Sequence, residues 1–586
     1  MYILLAVGVT WPLAPELNNR ILGYPTIDAM DTIMLRGLVS ELLFFSPADI
    51  PTSTGIYFPV GMPVLQWTPN LLDHLIGGGL ATLFGFPAGD NLFWLALLAA
   101  NGLAAHRLGH QLTGSHSSAF LVGVAYALSE NLLRETNLHH APQALTPFAP
   151  LYLAGMLRVL DGAGRRDQVA TGFWMGLSGV AYWYTAIFLA FATVFLIRSP
   201  RQDWRPIATV AGISLLIAAP FLVPFLLHLD ELSLATLTRL PEAQNTSAAF
   251  DFLPEGQGFL VEHGGDPLLL FNSATIDTSN KVAITLLLAV GLSLRRGASP
   301  RFVGIAAFGA VMAMGPYLKW GPDPVIWGDS PIPLPFRWLS ELHPVFERLT
   351  WPERWGVLIA LGLAAAASKA PKPRLLAALL ITETLLVSPN APLQSASLES
   401  MNPWRRLQAV DGAVLELPIA RTHRQAPFVG LHARMHGRPV VNPILRPPES
   451  PPPRAWQQWL LSQPIHSVSE SLAADQPPPQ TPGLSNSLDA AGIGAVALDT
   501  GESSGLKSAR LRRWREGLSA LLGEPEDQGA LLIWWIRPPT SEVAPPLSYR
   551  GVAVETGQQW RSARDRDSNK RSSPSWESLI EPLWFP

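Results

Sequence analysis

The chain has 586 residues, of which 15% are charged and 48% hydrophobic, whereas a soluble protein of this size normally carries about 25% charged residues. The formal net charge is −3 and no basic domain stands out, which argues against nucleic acid as a partner. The sequence contains 0 Cys, which excludes disulfides, thiolate metal sites and cysteine nucleophiles.

Apolar segments of membrane type recur up to residue 388 and predict a mainly α-helical, polytopic membrane protein with about eleven transmembrane helices. The first segment lacks a basic start and a small-residue cleavage site, so we interpret it as a membrane span and not as a removable signal peptide. Several segments are shorter than the roughly 20 residues of a full span. The predicted spans are 2–17, 90–108, 117–130, 142–160, 168–181, 182–197, 206–227, 280–294, 302–317, 354–368 and 374–388.

Five connections between these spans are rich in basic residues or histidine, and all five fall on one side if the spans alternate in direction. The positive-inside rule makes that side cytoplasmic. It also places His106 and His110 there, as loop residues. The opposite, extracytoplasmic side then receives the long segments 18–89, 131–141, 228–279, 318–353 and everything after 388.

Two carboxylates, Asp28 and Asp31, stand in the first outer loop, at the outer end of the first predicted span. Apolar residues then recur at three- and four-residue spacing, which predicts a juxtamembrane helix over 31–45 lying along the outer membrane surface. Asp31 could simply cap this helix, with Asp28 in a turn. Alternatively, one of them is a metal ligand or a general base, because transfer to a hydroxyl needs a group that accepts its proton.

Three arginines, Arg337, Arg348 and Arg354, lie in or next to the last predicted outer loop before residue 388. A guanidinium suits phosphate because it is permanently charged and offers a fork of donors. The alternative is that these side chains reach lipid head groups or pair with Glu347 and Glu353.

Polar and aromatic residues elsewhere on the outer side are candidates for lining a substrate cavity. Glu135 and His139 are four residues apart, so a helix would bring both onto one face for a metal or substrate role; the alternative for these and His140 is a solvated loop. Gln143, just inside the next predicted span, is a polar group at membrane depth. Tyr184 lies at an outer turn, where either an aromatic belt or sugar stacking explains it.

After residue 388 the composition changes to Pro-rich pieces, typical of stiff linkers, that separate strand-like runs at 413–419 and 438–444. A strand–helix–strand pattern at about 490–538 predicts a small α/β module. We therefore divide the chain into a transmembrane domain over 1–388, an extracytoplasmic α/β module with its linkers over 389–545, and a tail over 546–586. The mixed charges of the tail predict disorder.

Four segments resemble bacterial membrane glycosyltransferases of the GT-C superfamily, and together they span roughly residues 8 to 390. TWPLAPELNNRILGYPTIDAMD (10–31) is similar to the family's first span and acidic pair, although Ile27-Asp28 replaces the usual Gly-Asp. IYFPVGMP (56–63) and NLHHAPQALTPFAPLYL (137–153) resemble outer-loop pieces of the family. The segment 332–364 resembles the late outer loop, with a stretched version of its Arg-x-Pro-x-Arg cluster.

The resemblance implies an integral protein of the bacterial inner membrane, with its C-terminal region in the periplasm. It implies an inverting sugar transfer from a polyprenyl-phosphate donor to a lipid, glycan or protein acceptor. Asp31, or else Asp28, would be the base, and Arg354, ahead of Arg348 and Arg337, would bind the donor phosphate. The resemblance indicates no certain cofactor and leaves a divalent cation open.

Two other functions stay open. A lipid or polysaccharide transporter, or an assembly subunit, would be expected to bury polar residues within its spans, and the sequence shows few of these. A GT-C relative that has lost activity would retain the fold with altered motif spacing.

Overall fold

A computed structural model describes most of the chain. The residues described are 1–23, 32–38, 52–53, 55–63, 71–227, 264–265, 267, 280–321, 323–328, 330–342, 346, 349, 351–419, 428–442, 454–501 and 506–540. The chain divides into two compact units. We call Met1–Tyr24, Thr68–Leu80 and Pro87–Ala396 the helical unit, and Pro25–Trp67, Ala81–Phe86 and Ser397–Pro586 the C-terminal unit.

Helices dominate the first 388 residues, as the apolar segments predict, and each of the eleven predicted spans contains a helix. The described helices in this part of the chain are Tyr2–Val9, Leu72–Phe84, Ala88–Thr113, His116–Ala127, Glu130–Asn137, Ala141–Ala144, Phe148–Leu160, Arg165–Ala181, Trp183–Leu196, Pro200–Leu227, Ile284–Leu294, Pro300–Ala313, Pro335–Leu342, Gly356–Ala366 and Pro373–Val387, together with 32–38.

Two of the described helices, Ala88–Thr113 and Pro200–Val223, are long and apolar enough to cross a membrane, judged by length and composition alone. Four further apolar helices are shorter, and one of them, Leu72–Phe84, lies where the sequence predicts an outer loop. The count of eleven spans therefore stays a prediction.

Local signals explain how the long Ala88–Thr113 helix ends and where its neighbour begins. Gly114 takes a left-handed conformation with φ of 68°, which a glycine adopts without strain and which closes a helix. Ser115 then caps the next helix, because its side chain accepts a hydrogen bond from the Ser118 backbone N–H. The turn sends the chain back at once, and the two helices pack closely. A Cβ on Gly109 would lie 2.8 Å from Ala119 Cα.

The core of the helical unit is continuous and rich in aromatic side chains. Trp94, Tyr126 and Trp355 are completely buried in it. Trp355 packs against Phe188 with ring centroids 4.1 Å apart. It immediately precedes the Gly356–Ala366 helix, so this packing fixes the start of that helix.

The C-terminal unit contains a four-stranded sheet whose strands follow the order Glu526–Asp527, Leu531–Trp535, Ile493–Asp499, Ala413–Leu417. Strand Ile493–Asp499 runs parallel to Ala413–Leu417 and antiparallel to Leu531–Trp535, with Leu498 opposite both Leu417 and Leu532. In sequence, the helix Ser508–Leu522 lies between the strands Ile493–Asp499 and Glu526–Asp527. The strand expected at 438–444 is reduced, in the described residues, to an isolated bridge between Val440 and Val414.

The 32–38 helix corrects one expectation. Its apolar residues Ile33, Met34 and Leu38 are 1%, 3% and 4% exposed, so protein covers them and not lipid. A Cβ on Gly37 would lie 2.1 Å from Arg434 Nη1, which shows that this helix packs on the helix Phe428–His436 of the same unit. The rest of the predicted juxtamembrane helix, 39–45, and Asp31 at its start lie outside the described residues.

Candidate functional site

The second predicted outer loop is a buried helix, so the solvated-loop interpretation is wrong. Every residue of Glu130–Asn137 is buried. Both ends are tied to the segment after the Pro373–Val387 helix: Glu130 accepts hydrogen bonds at 2.7 Å from Ser388 Oγ and Asn390 Nδ2, and Asn137 Nδ2 donates to Asn390 O at 3.1 Å. These bonds hold the polar side chains of the helix in fixed positions inside the unit.

Glu135 is the centre of a charged group on this helix. Its carboxylate accepts from Arg134 Nη2 at 2.5 Å and lies 2.7 Å from His140 Nδ1. Burial alone would raise the pKa of Glu135, but the charges of Arg134, His140 and Arg354 outweigh it and hold the pKa well below its usual range. Glu135 is therefore a carboxylate that stays ionised and orients cations around it.

His139 does not share a face with Glu135, and that prediction is wrong. The helix ends at Asn137, and His139 takes a left-handed backbone with φ of 61°, which turns its side chain elsewhere. Its Nε2 lies 3.0 Å from Trp94 Nε1 and 3.2 Å from Asp90 Oδ2, and it is completely buried. His139 thus anchors the loop to the start of the Ala88–Thr113 helix.

Arg354 lies in a short 3-10 turn, Pro352–Trp355, directly before the Gly356–Ala366 helix. Its Nη1 donates to Tyr182 Oη. The guanidinium carbon lies 5.5 Å from the centre of the Tyr182 ring, 6.0 Å from Tyr184 and 5.0 Å from Trp351. These aromatic faces attract a cation without neutralising it.

Gln143 links Arg354 to the Glu135 group. With its amide nitrogen donating to His140 O at 3.2 Å, its amide oxygen accepts from Arg354 Nη2 at 3.3 Å. Within the part of the chain that the structure describes, no carboxylate lies within 4.0 Å of Arg354, so its charge lacks a contact counter-ion. The arrangement fits an anion in that place, because a guanidinium binds phosphate through the same fork of donors.

Glu353 is a second carboxyl next to Arg354, and it is 4% exposed. Its backbone O accepts from Asn280 Nδ2 at 2.9 Å, whereas its Oε2 has no hydrogen-bond partner among the described residues. Burial raises the pKa of Glu353 to about 7, against the opposing charges of Arg134 and Arg354. Glu353 does not form an ion pair with Arg354, and Glu347, the other expected partner, lies outside the described residues.

The structure thus gathers five of the predicted residues, which we call the Arg354 cluster: Arg354, Glu135, His140, Gln143 and Tyr184. Arg337 lies apart from them: it pairs with Glu341 at 3.1 Å and stands 5.4 Å from the Tyr317 ring. Asp28, Asp31 and Arg348 lie outside the described residues.

Two members of the site were missed as functional residues by sequence reasoning. Tyr182 is not among the predicted site residues, and Glu353 was considered only as a partner for an arginine. A possible signal for Glu353 is its position directly before Arg354, where a carboxyl must share the environment of the arginine. No comparable signal exists for Tyr182, because its contact with Arg354 joins residues 172 positions apart.

Metal binding is not supported by the described residues. They contain no group of three or more His, Asp or Glu side chains arranged to hold a metal ion. His106 and His110, expected in a loop, lie within the Ala88–Thr113 helix, next to His116.

The described part of the chain is mainly helical and contains this buried polar site. The structure is similar to that of the arabinofuranosyltransferase AftD from Mycobacteria, with a TM-score of 0.50 and 17% identity, over 93% of this chain and 40% of that chain. The chain therefore spans about two fifths of AftD. No protein-family model and no curated protein sequence matches the chain.

Two other solved structures are similar to this chain with lower TM-scores. The archaeal oligosaccharyltransferase AglB from Archaeoglobus fulgidus, in complex with an inhibitory peptide and a dolichol-phosphate, has a TM-score of 0.40 and 12% identity, over 88% of this chain and 71% of that chain. ArnT from Cupriavidus metallidurans, bound to undecaprenyl phosphate, has a TM-score of 0.36 and 12% identity, over 93% of this chain and 98% of that chain.

Proposed function

We propose that the chain is a membrane glycosyltransferase that moves a sugar from a polyprenyl-phosphate donor to a lipid, glycan or protein acceptor. The reaction would take place on the periplasmic face of the bacterial inner membrane. The observation that carries the proposal is Arg354, a partly buried cation that aromatic rings and an amide hold in place with no carboxylate in contact among the described residues.

The reaction requires a cation to stabilise the departing phosphate and a base to accept the proton of the acceptor hydroxyl. The acceptor hydroxyl attacks the anomeric carbon, the bond from that carbon to the phosphate oxygen breaks, and the carrier phosphate leaves with its negative charge. Arg354 would stabilise that charge through its guanidinium. The proton of the hydroxyl would pass to a carboxylate, for which we propose Asp31 first and Asp28 second.

Glu135 supports this assignment indirectly. Its pKa is held low, so it remains a conjugate base too weak to accept a proton at neutral pH. Arg134 and His140 are the direct partners of Glu135. Gln143 donates to the backbone oxygen of His140 and accepts from Arg354, so it connects this group to the arginine. In the proposed enzyme Glu135 is thus a positioning residue for the arginine and not the base.

The test is sugar transfer from a panel of radiolabelled polyprenyl-phosphate sugars by the purified protein. We expect Arg354→Gln to lower kcat/KM at least about a hundredfold, because a lost charge-assisted phosphate contact costs roughly 3 kcal/mol or more. Arg337→Gln is the matched control: an arginine that lies apart from the Arg354 cluster and has its own carboxylate partner, whose loss should change the rate less than about threefold.

The same assay separates the candidate bases. Asp31→Asn should abolish most transfer, and Asp28→Asn should show whether the second acid contributes. Unchanged turnover in both variants would remove the base assignment. Donor binding without transfer to any acceptor by the wild type would instead favour a carrier or scaffold role over an enzyme.

A further inference from the structure

The predicted outer loop 318–353 begins with residues 318–342, which we call the Trp327 segment, and this segment exposes large apolar side chains. Trp327 is the most exposed of them, at 81%. The full set of exposed apolar side chains is Trp320, Ile326, Trp327, Trp338 and Leu342. Single exposed apolar residues are normal on a protein surface, whereas several in one segment mark an interaction surface.

The backbone holds the first three of these side chains in fixed positions. Two antiparallel strand pairs carry them: 319–320 with 323–324, and 326–327 with 330–331. Further backbone hydrogen bonds connect the strand pairs to their flanks. Val325 N–H donates to Leu318 O at 2.8 Å, and Ile332 N–H donates to Val325 O at 3.0 Å. An ordered backbone thus presents these side chains outward.

The helix Pro335–Leu342 adds a second apolar surface. Phe336 is buried in the core of the helical unit. Trp338 and Leu342 are exposed and four residues apart, so they lie on one face of the helix. The helix therefore has one apolar residue in the core and an apolar face outside it.

The kind of side chain selects the partner. Tryptophan is enriched at membrane–water interfaces, where its apolar ring and its N–H lie at the level of the lipid head groups. A sugar site would need convergent polar groups beside the rings, whereas Ile326 and Leu342 add aliphatic surface. The set of exposed side chains therefore fits the surface of a bilayer better than a soluble glycan.

Charge and position in the chain agree with a bilayer surface. Residues 318–342 contain two basic and three acidic residues, a balance of −1, so attraction to anionic lipid is not the source of binding. The segment follows the apolar helix Pro300–Ala313 and precedes the apolar helix Gly356–Ala366, both of which belong to predicted spans. It therefore starts and ends at the predicted membrane boundary.

We propose that the Trp327 segment docks onto the extracytoplasmic surface of the bilayer that holds the helical unit. Trp320, Trp327 and Trp338 would lie at the level of the head groups. This docking would fix the part of the outer loop that leads to Arg354 relative to the lipid surface. The proposal rests on the membrane location proposed above and not on sugar transfer, because it uses neither Arg354 nor a catalytic acid.

The test measures the depth of single fluorescent labels in nanodiscs. The sequence contains 0 Cys, so one introduced cysteine is labelled without background. Ser330→Cys reports on the segment, because Ser330 is exposed and pairs with Trp327 across the two strands. Leu216→Cys, on an exposed face of the Pro200–Leu227 helix, marks the bilayer interior, and Arg512→Cys, exposed in the C-terminal unit, marks water. Quenchers are iodide and lipids with a nitroxide near the head group or near the chain end.

We expect the head-group nitroxide to quench the label at position 330 at least about twofold more strongly than the chain-end nitroxide. The label at position 216 should show the reverse order, and the label at position 512 should respond only to iodide. Trp320→Ser together with Trp327→Ser should lower lipid quenching at position 330 about twofold. Trp204→Ser is the matched control, because Trp204 is also exposed but lies on the predicted cytoplasmic side, and it should change nothing at position 330. Variants are compared where their elution volume and helicity match the wild type.

Two results would overturn the docking while the membrane location stands. One is a label at position 330 that iodide quenches as strongly as the label at position 512 and that lipid nitroxides do not quench, as a segment that binds a soluble glycan would also show. The other is lipid quenching at position 330 that the double tryptophan variant leaves unchanged. A label at position 216 that no lipid quenches would instead remove the membrane location, and the proposed function with it.

Discussion

Glu353 is a buried carboxyl group whose protonation affects the stability of the folded protein. Its carboxyl is almost completely buried, and its Oε2 has no hydrogen-bond partner among the described residues. Two arginines act on it from nearby, yet burial dominates and raises its pKa to about 7. In the folded protein the group therefore keeps its proton over a pH range in which an exposed glutamate has lost it.

The pH dependence of stability follows from this difference. Between pH 4.5 and about 7 the folded state binds a proton at Glu353 that the unfolded chain has released. The free energy of unfolding therefore falls as pH rises through this window, by a total of about 3 kcal/mol. Glu353→Gln carries no titrating proton, so relative to the wild type it should become more stable at pH 8 than at pH 5.

Thermal unfolding in detergent at the two pH values measures this effect, which we expect as a gain of a few degrees in Tm relative to wild type at pH 8. Glu341→Gln is the control, because Glu341 is about half exposed and pairs on the surface with Arg337. An equal Tm difference between Glu353→Gln and wild type at both pH values would contradict the assignment.

Residue chemistry made part of this site predictable. A guanidinium before an apolar span and polar side chains in a facing loop were sufficient to predict Arg354, Glu135, His140 and Gln143 as site residues, and the structure brings them together. The backbone conformation at His139 was not predictable, since a non-glycine residue with φ of 61° depends on tertiary contacts. Pairing across long sequence separations, as between Arg354 and Tyr182, likewise has no local signal.

At the scale of elements, the Gly356–Ala366 helix begins at a position that only glycine fits. A Cβ at Gly356 would lie 2.1 Å from Asn280 Oδ1, and that side chain is held by its bond to Glu353 O. Gly356→Ala should therefore destabilise the protein by about 1–3 kcal/mol, the usual cost of overpacking.

The matched comparison for Gly356→Ala is Gly212→Ala in the Pro200–Leu227 helix, where a Cβ would meet nothing within 4 Å. That change should be neutral or stabilise by up to about 1 kcal/mol, because alanine is the better helix former. Both are measured by thermal unfolding in the same detergent. Equal Tm values for the two variants would show that Asn280 moves aside without cost.

The helices and strands were more predictable from the sequence than the contacts that cover their apolar faces. Apolar runs predict helices in all eleven segments, and the strand-like runs at 413–419 and 490–538 contain described strands. What covers an apolar face was not predictable. The 32–38 helix has the pattern of a membrane-surface helix, yet Arg434 and its neighbours cover it, because periodicity does not distinguish lipid from protein.

At the scale of the whole molecule, the similarity to AftD covers 93% of this chain at an identity of 17%, and it concerns the fold alone. Since function belongs to sites and not to folds, that similarity leaves the chemistry to the Arg354 cluster. The cluster can meet a lipid-linked sugar in the periplasm only if the outer loops face that side. The proposed function therefore depends on membrane topology.

Reporter fusions test that topology directly. Alkaline phosphatase is active only after export, so a fusion after residue 400 should be active and one after residue 165 inactive, because the basic connections are predicted to be cytoplasmic. A fusion after residue 297, in another basic connection, is the second cytoplasmic point. Green fluorescent protein at the same positions gives the opposite readout and controls for expression. Activity after 165 and 297 together with inactivity after 400 would put Arg354 on the cytoplasmic side, and periplasmic transfer by this site would then be impossible. The predicted pattern would place Arg354, Glu135 and the C-terminal unit on the side where a flipped lipid-linked sugar becomes accessible.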